Sequence, residues 1–157
     1  MRLLKLVLYA LVIIVLQTVV FTRLNLFGVS PDLILVSVIG YAVLEKRQDS
    51  ALFAAGSGFI QDILSYGIYL HTITRVVACS LVSTIKENFA GGELSLIAGL
   101  VAVFTPLVLI VEGGIYSIFW GRALDLVHLA TTIFIATVYN LFMVPILFPI
   151  IKRVSHE

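Results

Sequence analysis

Apolar residues in this chain come in long blocks separated by short polar turns, without the strict alternation of a half-exposed strand. A bilayer-crossing helix needs roughly 20 apolar residues, with a range of about 17 to 25. On that ruler the pattern predicts six helices, over about 3–22, 31–44, 50–70, 71–85, 94–120 and 126–151. The first ends at Phe21-Thr22-Arg23 without a small-x-small cleavage site, so it reads as a retained span. Ser30-Pro31-Asp32 marks the start of the second. Serine suits a cap, proline the first turn, and aspartate the positive end of the helix dipole. The segment from Leu33 to Leu44 is only about 18 Å long by helical rise. It spans if the turn with Pro31 is counted or if the protein is locally thin. Tyr66-Gly67 is expected to interrupt the third helix near its end. Pro106 and Gly113-Gly114 predict a kink or break in the fifth. Asn140, Pro145 and Pro149 punctuate the sixth.

The chain reads as organised around the third segment. Every fourth residue from Ser50 gives Ser50, Ala54, Gly58 and Asp62, a stripe of small residues that ends in a carboxylate. Residues four apart share a helix face, and small residues let membrane helices approach closely. Two readings share this geometry: a packing face whose Asp62 is satisfied by a neighbouring helix, or a ligand or ion site.

Composition fixes the class. Of 157 residues, 61% are hydrophobic and 12% charged, against about 25% charged in soluble domains. The fold class is therefore an all-α integral membrane protein, a bundle of six transmembrane helices in one domain. A net charge of +1 gives no reason to expect a nucleic-acid partner. Charge placement says more. Arg2, Lys5, Lys46, Arg47, Lys86, Lys152 and Arg153 fall on one side of a six-span layout, and only Arg23 and Arg122 on the other. The positive side is expected to be cytoplasmic, with both termini inside. Cys79, the single cysteine, reads as a small buried hydrophobe. His71, His128 and His156 are far apart near helix ends, so interfacial histidines are expected and no metal site. Tyr66, Tyr69, Tyr116 and Trp120 gather at the outer ends, as an aromatic belt would.

Asp62, Arg75 and Glu112 need partners in an apolar setting. If the third and fourth helices turn between Ile68 and Tyr69, Asp62 and Arg75 share a depth about 10 Å below the outer end. Glu112 lies roughly 12 Å below Trp120. With Gln61 beside Asp62, these residues form an expected polar cluster in the outer half; the other reading has Arg75 snorkelling outward. No nucleophile with its base, metal set or phosphate cradle accompanies the acids, so an enzyme is the least expected class and no cofactor is implied.

At this point the residues resemble the family of the rod shape-determining protein MreD. The resemblance rests on Gln17 in the first span, Pro31-Asp32-Leu33 opening the second, and Gly58-Phe-Ile-Gln-Asp62 in the third, followed by the basic Arg75. Ile68-Tyr69 stands where such proteins often have a glycine after the turn, and His71 where a small residue or Asn is expected. The resemblance implies a non-enzymatic scaffold of the bacterial cell-elongation machinery in the cytoplasmic membrane. It implies as partners a single-span MreC-like protein, with MreB, RodA and a class B penicillin-binding protein. That family is similar in fold to the S-components of energy-coupling-factor transporters. The alternative function is therefore a vitamin-type substrate-binding subunit of a transporter.

Overall fold

The structure, a computed structural model, describes residues 2–21, 23, 25, 27–65, 68–121, 123 and 125–155. Thr22, Tyr66, Gly67, Arg122 and His156 of the sequence reading lie outside the described residues. Among the described residues run six α-helices: α1 Arg2–Val15, α2 Leu33–Leu44, α3 Arg47–Leu64, α4 Leu70–Ile85, α5 Glu93–Trp120 and α6 Leu126–Ser155. Three stretches, Leu4–Phe21, α5 and α6, are long and apolar enough to cross a membrane, the make-up of a multi-pass membrane protein.

The centre of the bundle is α2 rather than α3. Its residues from Leu33 to Ala42 are all buried, and every other helix packs against it. This follows from its sequence, Leu-Ile-Leu-Val-Ser-Val-Ile-Gly-Tyr-Ala, which is apolar on all sides and has no face to give to a polar medium. Its Ser37 hydroxyl donates to the Leu33 carbonyl at 2.6 Å and meets the Tyr9 hydroxyl of α1 at 2.8 Å. In lipid the surroundings are as apolar as leucine, so packing and hydrogen bonds, more than burial of apolar area, hold such helices together.

The small-residue stripe packs as expected. Ser50 and Ala54 are almost fully buried, and a Cβ on Gly58 would lie 2.7 Å from Thr72 Cα. That close approach brings α3 against the first turn of α4. Of the kink or break expected in the fifth helix, the break is absent. α5 runs unbroken through Pro106 and Gly113-Gly114, and α6 through Pro145 and Pro149. In α5 the buried stripe Leu100, Phe104, Val108, Glu112 is held by its neighbours, and Pro106 stands off that face. The first segment, by contrast, changes character where no break was expected: α1 passes into a π-helical stretch over Leu16–Phe21.

At one end of the bundle the close of α2, α4 and α6 meets the start of α3. Lys86, in a 3-10 turn after α4, donates to the carbonyls of Ala42, at 2.7 Å, and Glu45. Ser155 of α6 donates to Glu45 Oε1 at 2.6 Å. An exposed pair, Lys152 Nζ to Glu93 Oε2 at 2.7 Å, joins α6 to the start of α5. The opposite end holds the starts of α2 and α4.

Candidate functional site

The site grows from two helix starts. α2 begins after Asp32, whose Oδ1 accepts from the Leu35 N–H at 2.9 Å. The cap is therefore Asp32, not Ser30, because the helix starts two residues later than Pro31 at the first turn would require. The Pro31 carbonyl instead accepts from Gln17 Nε2 at 3.0 Å, and Gln17 Oε1 accepts from the Leu33 N–H at 2.7 Å. A π-turn carries one extra residue per hydrogen-bonded ring and is frequent at functional sites; here it presents Gln17 to the start of α2. Asn140 of α6 completes the ring: its Oδ1 accepts from the Asp32 N–H at 2.7 Å and its Nδ2 donates to Thr105 Oγ1 at 3.0 Å.

α4 begins after Tyr69, whose φ of 56° lies in the left-handed region and whose side chain caps nothing. The cap comes from α3. Asp62 Oδ1 accepts from the His71 N–H at 3.1 Å, and Oδ2 accepts from the Thr72 N–H at 2.8 Å and the Thr72 hydroxyl at 2.6 Å. This corrects the pairing expected from equal depth. Asp62 sits at the predicted level, but the open N–H groups of α4 are nearer than the Arg75 side chain, and they take both its oxygens.

Arg75 is fully buried and turns to other helices. Its Nη2 donates to Asp32 Oδ2 of α2, and its Nη1 reaches Glu112 Oε1 of α5 at 3.5 Å. Gln61 Oε1 lies 3.5 Å from Nη2. Glu112 Oε1 also accepts from Thr74 Oγ1 at 2.8 Å and stands 3.1 Å from His71 Nδ1. The expected cluster of Gln61, Asp62, Arg75 and Glu112 is thus assembled, with Asp62 tied in through His71. Snorkelling of Arg75 is overturned: its guanidinium is fully buried against two internal carboxylates. His71, in the first turn of α4, also joins the cluster, and its place three residues before Thr74 and four before Arg75, on one helix face, was the signal for it. Sequence reasoning also missed Asp32 as the partner of Arg75. An acid capping a helix that is apolar all round was the available sign.

Each of the two acids held by Arg75 borders a cavity. One, of about 790 Å³, lies between α5 and α6 and is lined by Glu112, Tyr116, Trp120, Asp125 and His128 among others. The other, of about 240 Å³, is lined by Gln17, Asp32, Thr105 and Asn140. The arrangement can lock α2, α4 and α5 by ionic contact, or hold a cationic group or a proton at the cavity walls. Among the described residues no group of three or more His, Cys, Asp and Glu side chains is placed to hold a metal ion. No family model, curated protein or solved structure matches the chain.

Proposed function

We propose that this chain is a non-enzymatic scaffold of the MreD type in the bacterial cytoplasmic membrane, crossing it six times with both termini in the cytoplasm. In this reading it binds a single-span MreC-like partner and through it the elongation machinery of MreB, RodA and a class B penicillin-binding protein. One observation carries the reading. The positions on which the resemblance rests, scattered from Gln17 to Arg75, meet in one network: Gln17 and Asp32 at the start of α2, Arg75 on Asp32, and Asp62 and Gly58 against the start of α4. Residues that together build one architecture are expected to touch. Depletion in a rod-shaped host should give rounded, widened cells, and the protein purified from native membranes should bring the MreC-like partner with it. Normal cell shape on depletion overturns the proposal.

The cavity of about 790 Å³ beside Glu112 favours a second reading, a small-molecule binding subunit of a transporter. Its size falls within the roughly 300–1,000 Å³ of ligand pockets. Unchanged cell shape together with lost vitamin uptake would decide for it.

A further inference from the structure

At the end of the bundle away from Arg75 lies a cavity of about 590 Å³ with Glu45, Lys46, Arg47, Ser83, Lys86 and Glu87 in its walls. Three independent features of these walls favour an anion. The first is the start of α3. Its N-cap is Lys46, a residue with no acceptor to offer, and no side chain caps the first turn. The intrahelical ladder begins only with the Ser50 N–H on the Lys46 carbonyl at 3.0 Å. Uncapped first-turn N–H groups and the helix dipole make such an end an anion site.

The second feature is Ser83. It is 2% exposed, and its Oγ has no partner among the described residues. Other buried hydroxyls on these helices bond back along the chain: Ser37 to Leu33, Ser50 to Lys46 and Ser57 to Phe53. Ser83 alone of the buried hydroxyls in this wall keeps its donor in reserve, and buried polar groups are ordinarily paired.

The third feature is the charge layout. Lys86 Nζ is pinned by the carbonyls of Ala42 and Glu45, which fixes one ammonium in the wall. Lys46 and Arg47 are exposed at the rim. Of the two acids, Glu45 is bound by the Ser155 hydroxyl, which ties it to α6, and Glu87 is exposed. Three cations, a spare hydroxyl donor and a helix N-terminus converge on a wall that holds two carboxylates, with Asp49 a third acid in the first turn of α3.

We propose that this cavity binds a phosphate ester, seated between the start of α3 and Ser83 and clamped by Lys46, Arg47 and Lys86. The same chemistry is offered by a phospholipid headgroup and by a soluble phosphate, and two arms of one experiment separate them. In the lipid arm, native mass spectrometry follows the full chain in detergent with equimolar phosphatidate and phosphatidylcholine. In the soluble arm, the full chain in phosphatidylcholine nanodiscs is titrated with glycerol 3-phosphate. The expected result is saturable binding of one phosphate ester in at least one arm, about tenfold tighter than phosphatidylcholine or glycerol, as one or two charge-assisted hydrogen bonds imply. Lys46→Gln with Arg47→Gln should weaken it about tenfold. Ser83→Ala should weaken it about threefold while leaving the melting temperature unchanged or higher, since no protein contact is lost. Binding in the lipid arm alone assigns a headgroup, and binding in the soluble arm a free phosphate ester. No binding in either arm, or binding that both variants leave intact, overturns the proposal. Lys86 is left unaltered because it also closes α2.

Discussion

Arg75 and Asp32, 43 residues apart on α4 and α2, form an ion pair whose guanidinium is fully buried while the carboxylate keeps about a quarter of its surface. The same guanidinium serves Glu112 of α5, so one cation balances two acids from two other helices. Removing it strands both.

Arg75→Leu should therefore be the most damaging single change in the network, costing about 3–5 kcal/mol, because buried charges lose their counter-ion. Asp32→Asn should cost less, since Glu112 still faces Arg75 and an asparagine oxygen can still cap α2. The midpoint of thermal unfolding in detergent, read by size-exclusion chromatography, orders the two. A milder Arg75→Leu than Asp32→Asn would contradict the shared-cation arrangement.

A double-mutant cycle separates Asp32 from Asp62. Coupling of Arg75→Leu with Asp32→Asn should exceed about 1 kcal/mol, as for residues in direct contact. Coupling of Arg75→Leu with Asp62→Asn should be smaller, since Asp62 spends its oxygens on the first turn of α4. Asp62→Ala alone should cost about 1–2 kcal/mol, the loss of a helix cap. Equal coupling of Arg75 to both acids would mean that the two acids share the guanidinium.

Two glycines of α3 should respond in opposite ways. Gly58→Ala places a Cβ 2.7 Å from Thr72 Cα, where backbone cannot yield cheaply, and should cost about 1–3 kcal/mol. Gly56→Ala meets nothing within 4 Å and should be neutral or stabilising by up to about 1 kcal/mol from helix propensity. Melting both variants side by side checks the difference, and a harmless Gly58→Ala would remove the close approach of α3 to α4.

Sidedness is checked by single cysteines in a Cys79→Ala background, at Gln48 or Gly92 for one end of the bundle and Asn25 or Gly121 for the other, all exposed. The first pair should label only from the cytoplasm and the second only from outside, following the charge bias. Labelling of positions 25 and 48 from the same face would remove α2 as a crossing and the six-span proposal with it.

Helix identity was legible because apolar runs and charged turns set it directly, and the spacing of Ser50, Ala54 and Gly58 marked a buried face of α3 without naming the helix it meets. Partner choice was harder. Equal distance from a turn put Asp62 and Arg75 at one level correctly. Depth alone does not reveal that the N–H groups of α4, left uncapped by Tyr69, compete for the carboxylate. Nor does a linear pattern show that Asp32, read as a cap, has a second oxygen free for a helix far along the chain. Pro106 and Gly113-Gly114 do not break α5, whose buried face is held by its neighbours.

The shortness of α2 bears on how the protein is made. Twelve residues give about 18 Å of helix against a hydrocarbon core of about 30 Å. At the insertion machinery this segment is thus a weak candidate for threading into lipid by its own hydrophobicity. What it lacks in length is made up by groups that arrive later in synthesis: Arg75 and Asn140 at one extremity, Lys86 and Ser155 at the other. In the six-span proposal, its final seat is complete only once the last helix has left the ribosome.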